Sequence, residues 1–373
     1  MKIGILGGGQ LGRMFLQEAI SLPVKTNVLD PQKNASCAHL CDEFICGDFN
    51  DYDTVRAFGI DCDAIGIEIE HISNKGLEFL HEQGKKTVPS PHTLAIIQDK
   101  GVQKEFYRQN NIPTIDFYLA EKPRELTNLS FPLVQKTRKG GYDGKGVQVI
   151  KNAEEADKIW DTPSVIEKLC DIKKEIAVII ACDKYKNRKI YPIVEMEFDD
   201  KLNLVDVVKM PAEISKPAEI KALEIAERLA DSFNDSGIFA VEMFIDDEDK
   251  VFVNETACRV HNSGHLTIEA CETSQFGQML RILAGLPLGS VETVYKYAAM
   301  LNLVGADGAK GAADVDFLKE ISALPQTFIH WYGKDEVRPG RKMGHITVCA
   351  NNAEELKNNI ARVKKFSLEI KAK

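Results

Sequence analysis

A dense group of chemically versatile side chains occupies residues 254–265, which read Asn-Glu-Thr-Ala-Cys-Arg-Val-His-Asn-Ser-Gly-His. The Lys-Val-Phe-Val run before it predicts a strand that delivers these groups at its end. Asn254 and Glu255 offer the hard oxygen ligands that Mg²⁺ prefers and often shares with phosphates. Arg259 and His261 suit an anion under attack. The segment predicts part of a nucleotide site rather than a polar turn after an edge strand.

A further carboxylate is predicted beside this group. Glu242 lies in the β-rich segment 237–245, and a short acidic turn joins that segment to the strand that ends at Asn254 and Glu255. Two carboxylates on paired strands suit one or two Mg²⁺ ions held against a triphosphate. Glu242, Asn254 and Glu255 are therefore the predicted metal ligands.

Two glycine-rich segments are candidates for phosphate binding. Residues 7–12 match G-x-G-x-x-G between a predicted strand and a helix, and Asp30 ends the next strand, as in a dinucleotide-binding loop. A tight structural turn and a loop for another ligand remain alternatives. Residues 136–146 lie between two predicted strands as a glycine-rich, lysine-containing hairpin, which favours close approach to phosphates.

Composition restricts the class of protein. A chain of 373 residues is too long for one compact core, so two or three domains are expected. The net charge of −9 argues against nucleic-acid binding but permits local sites for small anions. The apolar runs are too short to span a membrane, and the N-terminus reads as a strand rather than a signal peptide. Nine scattered cysteines predict reduced thiols and a cytoplasmic location.

The order of predicted elements indicates a mixed α/β and α+β fold in three units. Residues 1–92 alternate strands and helices, which predicts a parallel Rossmann-like sheet with helices on both faces. Residues 93–295 form a central unit with a β-rich lid at about 115–185, and residues 296–373 form a small α/β unit.

Three local predictions bear on the site. One helical stretch is expected over about 91–110, and one strand over 189–195. A strand is expected over 64–69, and if it extends through Glu70, the spacing of two would point Glu68 and Glu70 to the same face.

The chain resembles the ATP-grasp superfamily in the order of its motifs. These are a strand that carries a lysine, a glycine hairpin, a Glu-containing linker, and then Glu and Asn-Glu on paired strands. More narrowly, the chain resembles the N5-carboxyaminoimidazole ribonucleotide synthetases over nearly its whole length. The resemblance implies an N-terminal pre-ATP-grasp domain, a central ATP-grasp domain and a small C-terminal domain. Its most specific marks are residues 9–14, 140–146, 259–265, 274–276 and 338–345.

The resemblance implies roles in ATP and Mg²⁺ binding. Lys100 and Lys136 would contact the phosphates, the 140–146 hairpin would close over them, residues 167–170 would frame the adenine, and Glu175 would hold the ribose. The metal ligands would be Glu242, Glu255 and Asn254, for one ion or two. The full set implied in ATP binding is Lys100, Lys136, Gly141, Tyr142, Asp143, Gly144, Lys145, Gly146, Glu167, Lys168, Leu169, Cys170, Glu175, Asn254 and Glu255.

The resemblance also implies sites for bicarbonate and aminoimidazole ribonucleotide. The ribonucleotide would face the first glycine loop and one of two acidic residues, and basic residues near the C-terminus would hold its phosphate. These substrate-binding residues are Gly9, Gln10, Leu11, Glu68, Glu70, Tyr142, Asp143, Lys334, Arg341 and Lys342. The implied catalytic residues are Arg259, His261, Asn262 and Lys334.

The implied activity is ATP-dependent carboxylation of aminoimidazole ribonucleotide with bicarbonate, through carboxyphosphate, by a homodimer that needs neither nucleic acid nor membrane. Three alternatives are an NAD-dependent oxidoreductase, another ATP-grasp ligase such as a formate-using glycinamide ribonucleotide transformylase, and an inactive nucleotide-binding regulator. The oxidoreductase leaves residues 136–146 and 254–265 unexplained, and the full set of charged groups argues against the regulator.

Overall fold

The computed structural model describes residues 1–126, 129–141, 145–199, 204–366 and 368–373. Tyr142, Asp143 and Gly144, to which the resemblance gives roles in ATP or substrate binding, lie outside the described residues. Within the described part of the chain, no helix combines the length and the apolar character needed to cross a membrane.

The N-terminal unit is a parallel sheet with helices on both faces, as predicted. Ile3 and Ile5 pack in one apolar cluster with the first helix, whereas Leu6 packs in a second cluster with the next two, because successive strand residues face opposite sides. The strands are β1 Lys2–Leu6, β2 Lys25–Asp30, β3 Glu43–Cys46, β4 Ala64–Ile67 and β5 Lys86–Val88, and the helices are α1 Gln10–Ala19, α2 Tyr52–Gly59 and α3 Asn74–Glu82. The strand order is β3-β2-β1-β4-β5, with every pair parallel.

The helical stretch predicted over about 91–110 consists of two helices, α4 Pro91–Ile97 and α5 Lys100–Gln109. Asp99 separates them, since its carboxylate accepts hydrogen bonds from backbone N–H groups in the first turn of α5. The same carboxylate accepts bonds from Nε and Nη2 of Arg138, both at 2.9 Å. The break therefore fixes the start of α5 against the strand that leads into the glycine hairpin.

A small antiparallel sheet follows. Its strands are β6 Phe117–Ala120, β7 Leu133–Thr137, β8 Val147–Ile150 and β9 Ser164–Lys168. They lie in the order β6-β9-β7-β8. Because β7 and β8 pair antiparallel from Leu133 opposite Ile150 to Lys136 opposite Val147, the predicted hairpin around the second glycine-rich segment is confirmed.

A ten-stranded sheet forms the body of the molecule. Its strands are β10 Lys174–Cys182, β11 Arg188–Ile190, β12 Val194–Asp199, β13 Leu204–Met210, β14 Gly237–Ile245, β15 Val251–Ala257, β16 Tyr297–Gly305, β17 Thr327–Trp331, β18 Lys342–Ala350 and β19 Glu369–Ile370. The main order is β15-β14-β10-β12-β13-β16-β18-β17, with β11 on β10 and β19 on β16. The sheet continues across the predicted domain boundary at residue 295, because β13 pairs with β16.

The prediction of one strand over 189–195 is wrong, because these residues are divided between β11 and β12. Pro192 lies between them and has no N–H group to donate to a ladder. The remaining helices of the described chain are α6 Lys216–Phe233, α7 Thr267–Ala270, α8 Gln275–Ala284, α9 Leu318–Ile321 and α10 Ala353–Val363.

A buried polar contact fixes α5 on β15. The side-chain amide of Gln103 donates to the carbonyl of Thr256 at 3.1 Å and accepts from its N–H at 3.2 Å. The hydroxyl of Tyr107, which is fully buried, lies 2.8 Å from both Gln103 Oε1 and Thr256 Oγ1. The contact holds the start of α5 beside Glu255.

We expect Tyr107→Phe to lower the free energy of unfolding by about 1–3 kcal/mol, because Gln103 Oε1 and the Thr256 hydroxyl both lose a buried hydrogen-bond partner. Chemical denaturation measures this. Tyr118→Phe is the control, since that side chain is 41% exposed and should change stability little. Equal effects of the two substitutions would contradict the role given to the buried hydroxyl.

Candidate active site

The first glycine loop is closed by carboxylates of the protein itself. The N–H of Gly8 donates to Asp30 Oδ2 at 2.7 Å, while those of Gly9 and Gly12 donate to the two oxygens of Glu68 at 2.8 and 2.9 Å. A Cβ on Gly9 would lie 2.6 Å from Glu68 Oε1, so a larger residue here would displace that carboxylate from the loop. Because negative groups already occupy these donors, the loop is a poor site for a pyrophosphate, which argues against the NAD-dependent alternative.

The prediction that Glu68 and Glu70 point the same way from one strand is wrong. Strand β4 ends at Ile67, and both residues follow it. The carboxylate of Glu68 turns back to the N–H groups at the start of α1, where the positive end of the helix dipole attracts it. Glu70 Oε1 instead lies 3.3 Å from Arg259 Nε. Of the two acidic residues, Glu70 is therefore the one beside the predicted catalytic residues.

A β-bulge brings the predicted metal ligands together. Glu242 of β14 lies opposite Glu255 of β15, but the next residue, Met243, lies opposite Val253, so Asn254 is the extra residue. Neighbouring residues of a regular strand face opposite sides, whereas a bulge can redirect a side chain. Asn254 and Glu255 both face cationic groups. The register thus places two carboxylates and an amide oxygen in one neighbourhood.

Two lysines face these oxygens. Lys100, at the start of α5, forms an ion pair with Glu255, and it holds the pKa of this carboxyl well below its usual range. Lys136 Nζ, at the end of β7, lies 2.8 Å from Asn254 Oδ1. The structure therefore joins Lys100 and Lys136 to the predicted metal ligands, and their charges offset the negative charge of the carboxylates.

Lys104 is a site residue that sequence reasoning missed. It is 3% exposed, and its Nζ lies 2.6 Å from Glu167 Oε1, while Lys136 Nζ lies 2.7 Å from Glu167 Oε2. Although burial opposes ionisation, the two lysines lower the pKa of Glu167 to about 2. The spacing of four between Lys100 and Lys104 places them on one helix face, which was the available signal.

The segment predicted to frame adenine begins at this ion network. The carboxylate of Glu167 faces the lysines, and its backbone lies in β9, which pairs with both β6 and β7. Lys168 N–H donates to the carbonyl of Asp116 at 3.2 Å, and Leu169 is 36% exposed. Cys170 is partly exposed. Strand β9 ends at Lys168, and the contact of residues 168–170 with adenine stays a prediction.

The predicted catalytic residues Arg259, His261 and Asn262 lie in a turn that follows β15 directly. His261 Nε2 lies 3.2 Å from Glu242 Oε1, and its Nδ1 lies 2.9 Å from the hydroxyl of Ser263. The side-chain amides of Asn262 and Asn302 bond each other at 3.2 and 3.1 Å. Together with Arg259 at Glu70, these contacts place the predicted catalytic turn against the predicted metal ligand Glu242.

The basic C-terminal loop packs on the N-terminal unit. Lys334 Nζ donates to the carbonyl of Lys342 at 2.6 Å, and Arg341 Nη1 donates to the carbonyl of Glu336 at 2.8 Å. Next to Lys334, a Cβ on Gly333 would lie 3.1 Å from Nη1 of Arg13 in α1. The structure therefore places Lys334 and Arg341 of this loop close to Lys342, the first residue of β18, and beside helix α1. Helix α1 carries Gln10 and Leu11 at its start.

Family models match three parts of the chain. An "ATP-grasp domain" matches residues 105–276, a "Ribonucleotide synthetase preATP-grasp domain" matches residues 1–98, and a "Phosphoribosylaminoimidazole carboxylase C-terminal domain" matches residues 298–359. With the lysine strand, glycine hairpin and paired acidic strands described above, these matches define an ATP-grasp protein.

Individual relatives narrow this class. N5-carboxyaminoimidazole ribonucleotide synthase of Staphylococcus aureus is 34% identical over 368 residues, which cover 96% of this chain and 95% of the relative. The chain belongs to the N5-carboxyaminoimidazole ribonucleotide synthetase family. Some curated relatives are longer than this chain. The phosphoribosylaminoimidazole carboxylase of Vigna aconitifolia is 35% identical over 369 residues, which cover 96% of this chain but 66% of the relative.

Solved structures share the whole fold. The N5-carboxyaminoimidazole ribonucleotide synthetase of Thermotoga maritima has a TM-score of 0.92 at 39% identity, covering 100% of this chain and 99% of that one. The synthase of Aspergillus clavatus, in complex with ADP and 5-aminoimidazole ribonucleotide, has a TM-score of 0.87 at 33% identity, covering 98% and 97%. The mixed α/β fold class predicted from the sequence is confirmed.

Glu175, the predicted ribose ligand, lies on the same face as Glu242. Glu242 is opposite Ala177 on β10, and Glu175 is two residues from Ala177. Burial, and then the charge of Glu242, raise the pKa of Glu175 from 4.5 to about 7. The folded protein binds the proton of Glu175 more tightly than the unfolded chain does, so protonation of Glu175 stabilises the folded state. This stabilisation is fully present below pH 4.5 and is lost as pH rises through about 7.

We therefore expect Glu175→Gln, which is neutral at all pH values, to gain stability relative to the unmodified protein as pH rises from about 5 to 8, by about 1–3 kcal/mol. Denaturant unfolding at several pH values, without nucleotide, measures the difference. Glu227→Gln on the exposed side of α6 is the control. A stability difference that is constant across this pH range would contradict the buried, protonated state.

Proposed function

We propose that this protein is a ligase that carboxylates 5-aminoimidazole ribonucleotide with bicarbonate, using ATP, and forms N5-carboxyaminoimidazole ribonucleotide, ADP and phosphate for purine synthesis. One observation carries the proposal: the Lys100–Glu255 and Lys136–Asn254 contacts adjoin the Arg259–Asn262 turn on a single strand end. Groups suited to a nucleotide and groups suited to a small anion are thereby adjacent. The names of the relatives and the ligands of the Aspergillus clavatus structure support the same reaction.

ATP would lie between the small sheet and the body of the molecule. Lys100 and Lys136 would take its phosphates, with Gly141, Lys145 and Gly146 of the hairpin closing over them. Residues 167–170 would frame adenine, and Glu175 would hold the ribose. Tyr142, Asp143 and Gly144 keep the roles that the resemblance gives them.

The residues at the bulge fit Mg²⁺. Glu242, Asn254 and Glu255 supply hard oxygen atoms from neighbouring positions. These three residues would hold one ion or two. When bound, the metal would neutralise charge on the transferring phosphate.

The catalytic turn would act on bicarbonate. A bicarbonate oxygen attacks the γ-phosphorus of ATP, the bond to ADP breaks, and carboxyphosphate forms. The exocyclic amine of the ribonucleotide then attacks the carbon, phosphate leaves, and the nitrogen loses a proton. Arg259, His261 and Asn262 would orient bicarbonate and stabilise the charge that develops on carboxyphosphate. Glu242 would keep the imidazole of His261 in place, since the two side chains are in contact.

The ribonucleotide would lie between the first glycine loop and the C-terminal loop. Because both oxygens of Glu68 are bonded to backbone N–H groups, Glu70 is the proposed contact for the aminoimidazole. Gly9, Gln10 and Leu11 would line the same side, with Glu68 supporting the loop. Lys334, Arg341 and Lys342 would bind the phosphate, and Lys334 is also the proposed catalytic cation of this loop.

Assembly and location are proposed on the resemblance and the composition. We propose a homodimer in the cytoplasm with small-molecule substrates and no nucleic-acid partner. The domain boundaries at residues 92 and 295 stay predictions, since the large sheet continues across the second of them.

The reaction itself is tested by ADP release from Mg-ATP and aminoimidazole ribonucleotide, with and without labelled bicarbonate, trapping label in acid-labile product. We expect label incorporation equal to ADP formed. ATP cleavage without incorporation would reject the proposed carboxylation, and formate with glycinamide ribonucleotide would then be tested as substrates.

We expect Arg341→Ala to raise the KM for the ribonucleotide at least about tenfold, because a charged hydrogen bond to phosphate contributes about 1.5–3 kcal/mol. The KM for ATP should change little. Steady-state kinetics with each substrate varied in turn measures this. The matched control is Arg338→Ala in the same loop, where the guanidinium is 63% exposed and lies 3.1 Å from Glu336. Equal changes in both KM values would contradict the assignment.

A further inference from the structure

Gln275 makes two hydrogen bonds to the backbone of His261. It is the first residue of α8 and is fully buried. The N–H of His261 donates to Gln275 Oε1 at 2.8 Å, and Gln275 Nε2 donates to the carbonyl of His261 at 2.7 Å. The same Nε2 lies 3.4 Å from Nδ1 of the buried His265. Both ends of the amide are thus committed to the catalytic turn.

Gln275 is itself held on several sides. Its N–H donates to Thr267 Oγ1 at 3.0 Å, and that hydroxyl donates to the carbonyl of Gly264 at 2.6 Å. Ser274 caps α8 and donates to Glu18 at 2.6 Å, which ties the helix start to α1. The amide therefore presents fixed donor and acceptor positions, and the turn has to conform to them.

The turn also contacts Gln275 directly. A Cβ on Gly264 would lie 2.6 Å from both Cδ and Oε1 of Gln275, so the backbone runs against the amide. On the far side of the turn, the imidazole of His261 meets Glu242 at 3.2 Å. The backbone of His261 is thus fixed by Gln275, and its side chain is fixed by a predicted metal ligand.

We propose that Gln275 is a positioning residue for carboxyphosphate formation, acting through His261 without touching substrate. The inference rests on the proposed function, in which His261 orients bicarbonate. Displacing a catalytic group by about 1 Å is enough to cost on the order of 100-fold in rate, because reaction requires close alignment. Loss of the amide would release the backbone of His261 from α8 while leaving Lys100, Lys136 and their partners in place.

Helix α8 supplies a matched control in Gln278. This residue is also fully buried, and it makes the same pair of bonds to another backbone segment, accepting from Gly289 N–H at 2.9 Å and donating to the Gly289 carbonyl at 2.8 Å. Gly289 lies in the loop after α8 and is not among the predicted site residues. Gln278→Leu therefore removes the same pair of backbone hydrogen bonds as Gln275→Leu, which also loses the contact with His265.

The test compares these two variants with the unmodified protein. We expect both to lower the melting temperature by a similar amount. Gln275→Leu should lower kcat/KM for bicarbonate on the order of 10- to 100-fold and leave ADP affinity unchanged. Gln278→Leu should leave both quantities unchanged. The inference would be overturned if the two variants had the same kcat/KM for bicarbonate. It would also be overturned if Gln275→Leu lost ADP affinity by the same factor as kcat/KM for bicarbonate.

A second variant covers the case in which Gln275→Leu does not fold. Gln275→Glu keeps the shape and the acceptor for the N–H of His261 but loses the donor to its carbonyl. A selective fall in bicarbonate kcat/KM, smaller than that of Gln275→Leu where both fold, would support positioning, and unchanged kinetics would overturn it.

If the unmodified protein releases no bicarbonate-dependent ADP, the proposed function fails and the inference with it. If the unmodified protein does release bicarbonate-dependent ADP, and the Gln275 variants have the same kcat/KM for bicarbonate as Gln278→Leu, the inference alone fails.

Discussion

The extra residue at Asn254 in β15 is the constraint on which the arrangement of the site depends. It lets an amide and a carboxylate from consecutive positions face two different lysines, Lys136 and Lys100, which come from separate parts of the fold. In a regular strand, one of the two would face the opposite side of the sheet. The strand then ends within a few residues, so the turn of Arg259 and His261 begins at the same edge. Local backbone geometry thus sets the distance between the residues proposed to bind the nucleotide and those proposed to bind bicarbonate.

Buried charge ties the small sheet to this edge. Glu167 of β9 lies between Lys104 of α5 and Lys136 of β7, within 2.6 and 2.7 Å. Removing an ionised carboxylate from water is costly unless it is paired, and here two ammonium groups satisfy it. The network places Lys136 with its Nζ near Asn254, and Asp99 with Arg138 adds a second link between α5 and β7. The position of a predicted phosphate ligand therefore depends on groups that do not themselves need to meet ATP.

Sequence reasoning succeeded where the determining interactions are local. The hairpin of β7 and β8 follows from its glycines, and the pairing of Glu242 with Glu255 follows from the short acidic turn between two strands. Sequence reasoning failed where the position of a side chain depends on a group that is distant in the sequence. The end of β4, and so the direction of Glu68, depends on N–H groups in the first glycine loop, and the buried state of Lys104 depends on Glu167. Gln275 belongs to the segment that marks the resemblance, yet its contact with His261 appears only when α8 meets the turn.

The pairing of β13 with β16 has a consequence for how such chains diverge. Asn302 of β16 donates to the carbonyl of Val205 at 2.7 Å and to Asn262 in the catalytic turn at 3.1 Å. A chain break near residue 295 would expose an unpaired edge of β13, and unpaired edges promote aggregation. We therefore expect the C-terminal segment to be inherited together with the central strands, because residues on either side of this ladder contact each other directly.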